Sequence, residues 1–412
     1  MVRLNFDAKE DVLDNGFKVI TIKRETQLAS LNLGIKIGAL YEKENEKGIS
    51  HFIEHMIFKG TKTRNNEKLN DDLEALGGEY NAYTDYTSTV YSITCLEEEI
   101  ENAVDILSDM IVNPSFDIKE MKKERDVILS EIRTSKDDVE DLSFRRTSTF
   151  AFNESPLKYD IMGTEKSIAS FSRKNLVEYY NKYYMPKNTV LTFVSSYDHD
   201  KAIELVKKYF DKWSNKIIGD KDFNLEKNIA GVFESHKNDI EQATITYLFS
   251  FNDVPKELEL PIKILNHKLG ESSNSILFRE LREKRGFAYD VYTHLDLSSN
   301  VKTLHIFTSL VEENVEEAIN VINECIEKIK SKDIVFDEST FDLMKKVHKT
   351  AVVSTLEDST DLGNYVLHQI LEGESMFEFI KDMHNLDSLK PEDIYKAAEY
   401  ILREPTVHIL RS

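Results

Sequence analysis

His51, Glu54 and His55 stand together in the segment His51-Phe52-Ile53-Glu54-His55, and their types and spacing are those of hydrolytic metal chemistry. At 3.6 residues per turn, positions i and i+4 project from the same side of a helix. Both imidazoles can therefore reach one metal ion while Glu54 lies beside His55. That is a two-point chelate. Catalytic zinc takes three protein ligands and keeps a fourth position open, so one further carboxylate or imidazole must come from elsewhere. Glu131 is the candidate. In KKERDVILSEI it shares a helix face with Glu124, seven residues earlier and roughly 10.5 Å away along the axis, so one carboxylate can ligate while the other supports. A metal acidifies water to a pKa of ~7, and a carboxylate placed as Glu54 is can take the proton and pass it to a departing amine. With 11 His and 74 acids in 412 residues, roughly 0.05 windows of His-x-x-acid-His are expected by chance. The bland alternative makes the pair surface histidines beside Glu54, and Glu124 and Glu131 solvated acids on a charged helix.

The elements that must position these groups follow from periodicity. Ile49, Phe52, Ile53, Met56 and Ile57 fall at i, i+3, i+4, i+7 and i+8, which predicts a helix with one apolar face, stopped at Gly60. Its His/Glu edge is left to line a cleft. Alternation in FKVITI and LNLGIKI predicts two strands before it, and EYNAYTDY and STVYSITC predict a strand pair after a short helix that ends at Gly77 and Gly78. A helix through Ile100, Val104, Leu107 and Ile111 breaks at Asn113-Pro114, and a long helix from about Asp117 past Ile132 carries the candidate third ligand. A helix (SRKNLVEYYNKYY), a strand (NTVLTFVSS) and an amphipathic helix ending near Trp213 close this half.

From Lys216 to Glu234 the periodicity fades, and beyond it the same order of elements returns, from ATITYLFSF to TVHIL. This is an internal duplication. The expected fold is α+β: two homologous domains, each a mostly antiparallel sheet with helices packed on one face. Residues 1–218 form the metal-binding domain, 219–235 a linker, and 236–412 the domain without metal. If Gly270 corresponds to Gly60, the places of His51, Glu54 and His55 are taken by Pro261, Ile264 and Leu265, so the expectation is one zinc per chain.

Composition narrows the partners. The net charge of −21, with no Lys/Arg block to offset it, removes the main driving term for capture of DNA or RNA and favours cationic partners. Low Gly and Pro content (14 and 7) disfavours chains rich in turns and predicts that helix dominates. No stretch approaches ~18 consecutive apolar residues, so no membrane span is expected. MVRLNFDAKEDVLDNG carries acids where a secretory leader needs an apolar core, which gives a cytoplasmic expectation. Cys95 and Cys325 lack a second Cys or His at ligand spacing and read as core thiols.

His-x-x-Glu-His is the inverzincin motif, and the chain resembles the pitrilysin and insulin-degrading enzyme family, closest in style to the mitochondrial processing peptidase and its bacterial relatives. The likeness runs in order through DNGFKVI, HFIEHMIFKGT, NAYTDYTSTVY, KKERDVILSEI, IMGTEKSI, YYMPKNTVL and LFRELREKRGFAYDV. The resemblance implies a zinc metalloendopeptidase that cuts extended peptides or unfolded segments in a two-domain cleft. His51, His55 and Glu131 would be ligands, Glu54 the base and Glu124 an acidic helper. It implies further that Asn81, Ala82 and Tyr83 form a sheet edge pairing with the substrate backbone, and that Arg282 and Tyr289 come from the second domain, Tyr289 donating to the oxyanion. A homodimer is implied too. Two departures stand out: Glu271 replaces a usual second glycine, which would favour basic peptides, and SSYD follows TFV. The rival readings are a non-catalytic partner subunit or scaffold of the same fold, and a metal-dependent hydrolase of another substrate such as an ester.

Overall fold

The first half builds a six-stranded sheet from β1 (Asp7–Val12), β2 (Lys18–Lys23), β3 (Leu28–Ile35), β4 (Glu79–Thr84), β5 (Thr89–Leu96) and β6 (Thr189–Ser195), with apolar residues most regular in β2, β3, β5 and β6. The computed structural model describes residues 6–216, 218, 223–298 and 300–412. The strand order is β1-β2-β6-β3-β5-β4, antiparallel except for the β2–β6 pair. A period of two sorts the side chains. Val19, Leu31, Leu33, Tyr91, Ile93, Leu191 and Phe193 enter one core, and Ile20, Ile22, Val90, Val190 and Val194 enter another on the opposite face. The helices of this half are α1 (Ile49–Ile57), α2 (Asn66–Ala75), α3 (Ile100–Val112), α4 (Ile118–Asp137), α5 (Val139–Ala151), α6 (Glu165–Ser170), α7 (Arg173–Tyr183) and α8 (His199–Phe210). Phe52, Leu107, Leu176 and Val206, from α1, α3, α7 and α8, are buried in the first core.

The second half builds a five-stranded sheet from β7 (Gly231–His236), β8 (Ala243–Ser250), β9 (Ala288–Ser298), β10 (Val301–Leu310) and β11 (Thr406–Arg411), ordered β7-β11-β8-β10-β9. Only β7–β11 is parallel. Its helices are α9 (Glu259–Asn266), α10 (Val315–Lys330), α11 (Glu338–Glu357), α12 (Ser359–Leu371), α13 (Glu378–Ser388) and α14 (Pro391–Ile401). His267–Glu271 and Phe278–Glu283 are π-helical turns where uninterrupted helix was expected. Pro261, Ile264 and Leu265 are buried in α9, so these three positions pack. The expectation of two α+β bodies with mostly antiparallel sheets holds.

A division of the chain at one point does not describe the two compact units. The first takes in the chain up to Ile132, Asp160–Phe223 and Val352–Phe379; the second takes in Arg133–Tyr159, Asn224–Ala351 and Ile380–Ser412. The halves have exchanged a helix. Leu362, Val366, Leu367 and Ile370 of α12 pack on Ile20, Ile22, Val90, Val190 and Val194 of the first sheet, on the face turned away from α1. In return α5 lies on the second sheet, where Phe144 stacks on Phe307 at 5.5 Å and Ser143 Oγ lies 2.6 Å from Thr244 Oγ1. The same device begins both exchanged helices: Asp138 accepts the N–H groups of Glu140 and Asp141, and Asp358 those of Thr360 and Asp361. Each sheet therefore carries one helix beyond the expected single layer. Of the expected linker 219–235, residues 219–222 lie outside the described residues, and 231–235 belong to β7. No helix among the described residues is long and apolar enough to cross a membrane.

The approach of α12 is close. A Cβ on Gly363 would stand 2.5 Å from Asn32 Nδ2, and the Gly363 carbonyl accepts from Thr192 Oγ1 at 2.9 Å. Gly363→Val should cost about 1–3 kcal/mol through overpacking, seen as a lowered denaturant midpoint; a midpoint equal to that of the unsubstituted chain would contradict the packing described.

Candidate metal centre

The site begins with how α1 is started. Gly48, at φ +88°, precedes the helix, and a Cβ there would lie 2.4 Å from the Met162 carbonyl oxygen. The Glu42 carboxylate accepts the N–H groups of Gly48 and Ser50, each at 2.8 Å, so amide donors at the helix start are satisfied by an anion. Burial outweighs these bonds and pushes the Glu42 carboxyl up to about 7. Ser50 Oγ lies 3.0 Å from the buried Tyr179 hydroxyl. With its start fixed, α1 buries Ile49, Phe52, Ile53, Met56 and Ile57 and turns His51, Glu54 and His55 to its other edge.

One ligand atom from each of His51, His55 and Glu131 lies within 4.8 Å of the other two. The two imidazole rings are 4.6 Å apart between centroids, with planes at 71°. His55 sits between two carboxylates of α4. Its Nδ1 is 3.1 Å from Glu124 Oε2 and its Nε2 is 3.5 Å from Glu131 Oε2. An ionised carboxylate only accepts, so Nδ1–H donates to Glu124 and Nε2 is left facing Glu131. Glu124 is buried and also meets Lys59 Nζ at 3.0 Å; burial alone would raise its pKa, but His55 and Lys59 hold it below the usual carboxylate range. Glu54 accepts from Thr84 Oγ1 at 2.6 Å.

The electrostatics favour a cation. Burial works against charge on His55, yet the Glu124 bond and the charges of Glu131 and Glu54 outweigh it and raise its pKa. Burial, with His55 beside it, pushes His51 down to about 3, so that ring is neutral and ready to bind metal. The Glu54 carboxyl is raised, chiefly by burial, against the Thr84 bond. His51 Nδ1 and Glu131 Oε2 are buried without a hydrogen-bond partner. Stranded polar atoms on two of three convergent donors are costly, and a bound divalent ion is what such a donor set satisfies. Two imidazoles and one carboxylate are a zinc-type set.

The structure brings together five of the residues singled out in the sequence: His51, Glu54, His55, Glu124 and Glu131. Asn81, Ala82 and Tyr83 lie on β4, the outer strand of the first sheet, beside α1. Arg282 and Tyr289 belong to the second unit. There Tyr289 is 75% exposed and the Arg282 guanidinium stands 5.6 Å from its ring centroid. Glu271 is engaged within its own turn: it accepts from Asn266 Nδ2 at 2.6 Å and meets His267 Nδ1 at 3.5 Å. Sequence reasoning missed Thr84, Lys59 and Glu42. The first two lie inside segments already marked as family-like, NAYTDYTSTVY and HFIEHMIFKGT, whereas Glu42 carries no such signal.

Fold and donor set together define the class of inverted-motif metal centres. Residues 18–165 match the family model described as insulinase (peptidase family M16), and residues 170–347 match that of the M16 inactive domain. An uncharacterized zinc protease of Rickettsia felis is 31% identical over 339 residues, 80% of this chain and 81% of that one. An uncharacterized zinc protease of Bacillus subtilis is 29% identical over 357 residues, 85% of each chain. The chain belongs to peptidase family M16. A protease from Helicobacter pylori has the same fold, with a TM-score of 0.91 and 21% identity, over 99% of this chain and 100% of that one.

Glu124→Gln keeps the shape behind His55 and removes the charge. It should lower divalent-metal affinity about 10–100-fold, read by zinc titration against a competing chelator. Unchanged affinity would remove Glu124 from the site.

Proposed function

We propose that the chain is a zinc-dependent endopeptidase acting on extended peptides or unfolded segments, with His51, His55 and Glu131 as the zinc ligands and Glu54 as general base. The observation that carries this reading is the convergence of those three donors beside a half-buried carboxylate, Glu54, that is not itself among them. The zinc-protease names of the Rickettsia and Bacillus relatives support it.

Zinc, when bound, supplies Lewis acidity, bringing water toward a pKa of about 7 and polarising a peptide carbonyl. The chain's own residues do the rest. Glu54 takes the proton of the attacking water and returns it to the departing amine nitrogen; a carboxyl raised by burial holds that proton better than an exposed one. Thr84 donates to Glu54 Oε2 and fixes the direction in which the other oxygen points. Glu124 keeps the proton of His55 on Nδ1, so Nε2 remains available. Among the described residues β4 pairs on one side only, and its other edge is where a substrate adds as a further strand along Asn81, Ala82 and Tyr83, the Ala82 N–H exchanging the Asn81 Oδ1 that accepts it at 2.9 Å for a substrate carbonyl. The net charge of −21 favours basic peptides over acidic ones.

Chelation should abolish hydrolysis of a mixed peptide library, and zinc should restore it. Glu54→Gln should retain one zinc per chain while turnover falls about 10²–10⁴-fold. Peptide cleavage that survives complete zinc removal would overturn the proposal, as would a Gln variant that turns over normally.

A further inference from the structure

Among the described residues β4 pairs on one side only, with β5. Strand edges are the parts of a sheet that open most readily, and a loose edge is a poor template for an incoming peptide, because ordering it must be offset on each binding event. Here the edge is tied on both faces. Successive side chains alternate, so Tyr80, Ala82 and Thr84 point one way and Asn81 and Tyr83 the other. On the first face Thr84 holds Glu54, and Tyr80 lies against Phe58 with 6.2 Å between ring centroids.

The second face meets α12, the helix contributed by the C-terminal half of the chain. Tyr83 Oη donates to Asn364 Oδ1 at 2.9 Å and lies 2.6 Å from His368 Nε2. A phenol has one proton. With that proton on Asn364, the His368 Nε2–H must donate to the Tyr83 oxygen. The Tyr83 and His368 rings also stack, 6.1 Å between centroids and 16° between planes. Burial, with the Asp85 charge, pushes the phenol up to about 12, so it stays a donor. Asn364 and His368 are one helical turn apart and so share a face of α12. That helix is itself fixed to the sheet: Thr360 Oγ1 lies 3.0 Å from Thr94 Oγ1, and Arg24 donates to the carbonyls of Leu356 and Glu357 just before it.

We propose that Asn364 and His368 are positioning residues for substrate, holding β4 through Tyr83 at the place and register where an extended peptide pairs with it. This rests on reading the chain as a peptidase that takes its substrate on β4. Neither residue touches the reacting atoms; their effect is on binding, delivered through the strand. The C-terminal half thereby reaches the substrate strand through α12.

The test uses the full chain with zinc bound and an internally quenched peptide chosen from a library the unsubstituted chain cleaves. Tyr83→Phe and His368→Ala should raise KM about three- to tenfold, the loss of one or two hydrogen bonds, with kcat within about twofold and zinc content unchanged. Amides of residues 79–84 should exchange faster by a similar factor. His368→Gln, whose amide can donate to the same phenol, should bring KM and exchange back to within about twofold of the starting values. Unchanged exchange at 79–84 in both disruptive variants would overturn the clamp, whatever the hydrolysis shows. So would a loss confined to kcat, or a uniform fall in thermal stability that Gln does not relieve. If the unsubstituted chain cleaves no library peptide, the peptidase reading fails separately, and hydrogen exchange still decides the clamp.

Discussion

Everything at the centre depends on one imidazole held between two carboxylates of a single helix. Glu124 and Glu131 are seven residues apart on α4, and His55 occupies the interval, with its Nδ1 toward the first and its Nε2 toward the second. Two helical turns set the two residues about 10.5 Å apart along the axis, and their side chains lean inward from there to admit a ring with a contact at each end. That spacing fixes which nitrogen keeps its proton and which faces the other donors. It also fixes the placement of α1 against α4, because a slip of one residue in either helix would leave His55 with only one of its two partners. Lys59, one turn beyond His55, meets the far oxygen of Glu124 and so balances the charge that Glu124 brings into a buried place.

Around that contact the structure spends its polar groups on holding elements still. Glu42 caps the start of α1, the Met162 carbonyl closes against Gly48, and Thr84 joins the outer strand to Glu54. The result is a set of donors that need little rearrangement to accept a cation, which is the preorganisation that hydrolytic sites rely on. Burial supplies the second ingredient. It keeps His51 neutral and raises the Glu54 carboxyl, so neighbouring groups on one helix edge are suited to different tasks.

Much of this was legible in the residues. The i, i+4 pair, the Glu between them and the seven-residue interval on α4 are one-dimensional statements of a three-dimensional site, because helical geometry converts spacing into direction. The strands read well where apolar residues alternate or run together, as in β3 and β6, which are buried on both faces; β1 did not, since DAKEDV is polar at four of its six positions and its pairing comes from β2 rather than from its own pattern. The exchanged helices were not legible either. The amphipathic stripe of α12 looks the same whichever sheet it meets, and what lets it come close to the first sheet is the small residue Gly363 opposite Asn32, a match between positions more than three hundred residues apart. The clamp on Tyr83 has the same character: the phenol, the amide and the imidazole are ordinary residues until α12 brings them together.

The exchange of α5 and α12 also has a bearing on how the polypeptide is made. When β6 leaves the ribosome, the first sheet has all six strands but still lacks the cover for Ile20, Ile22, Val190 and Val194, which lies roughly 160 residues downstream in α12. At about 5–20 residues per second that face stays bare for about 8–30 s of synthesis. The nascent chain is then a natural client for a chaperone, and the first sheet cannot reach its final form before α12 has been made.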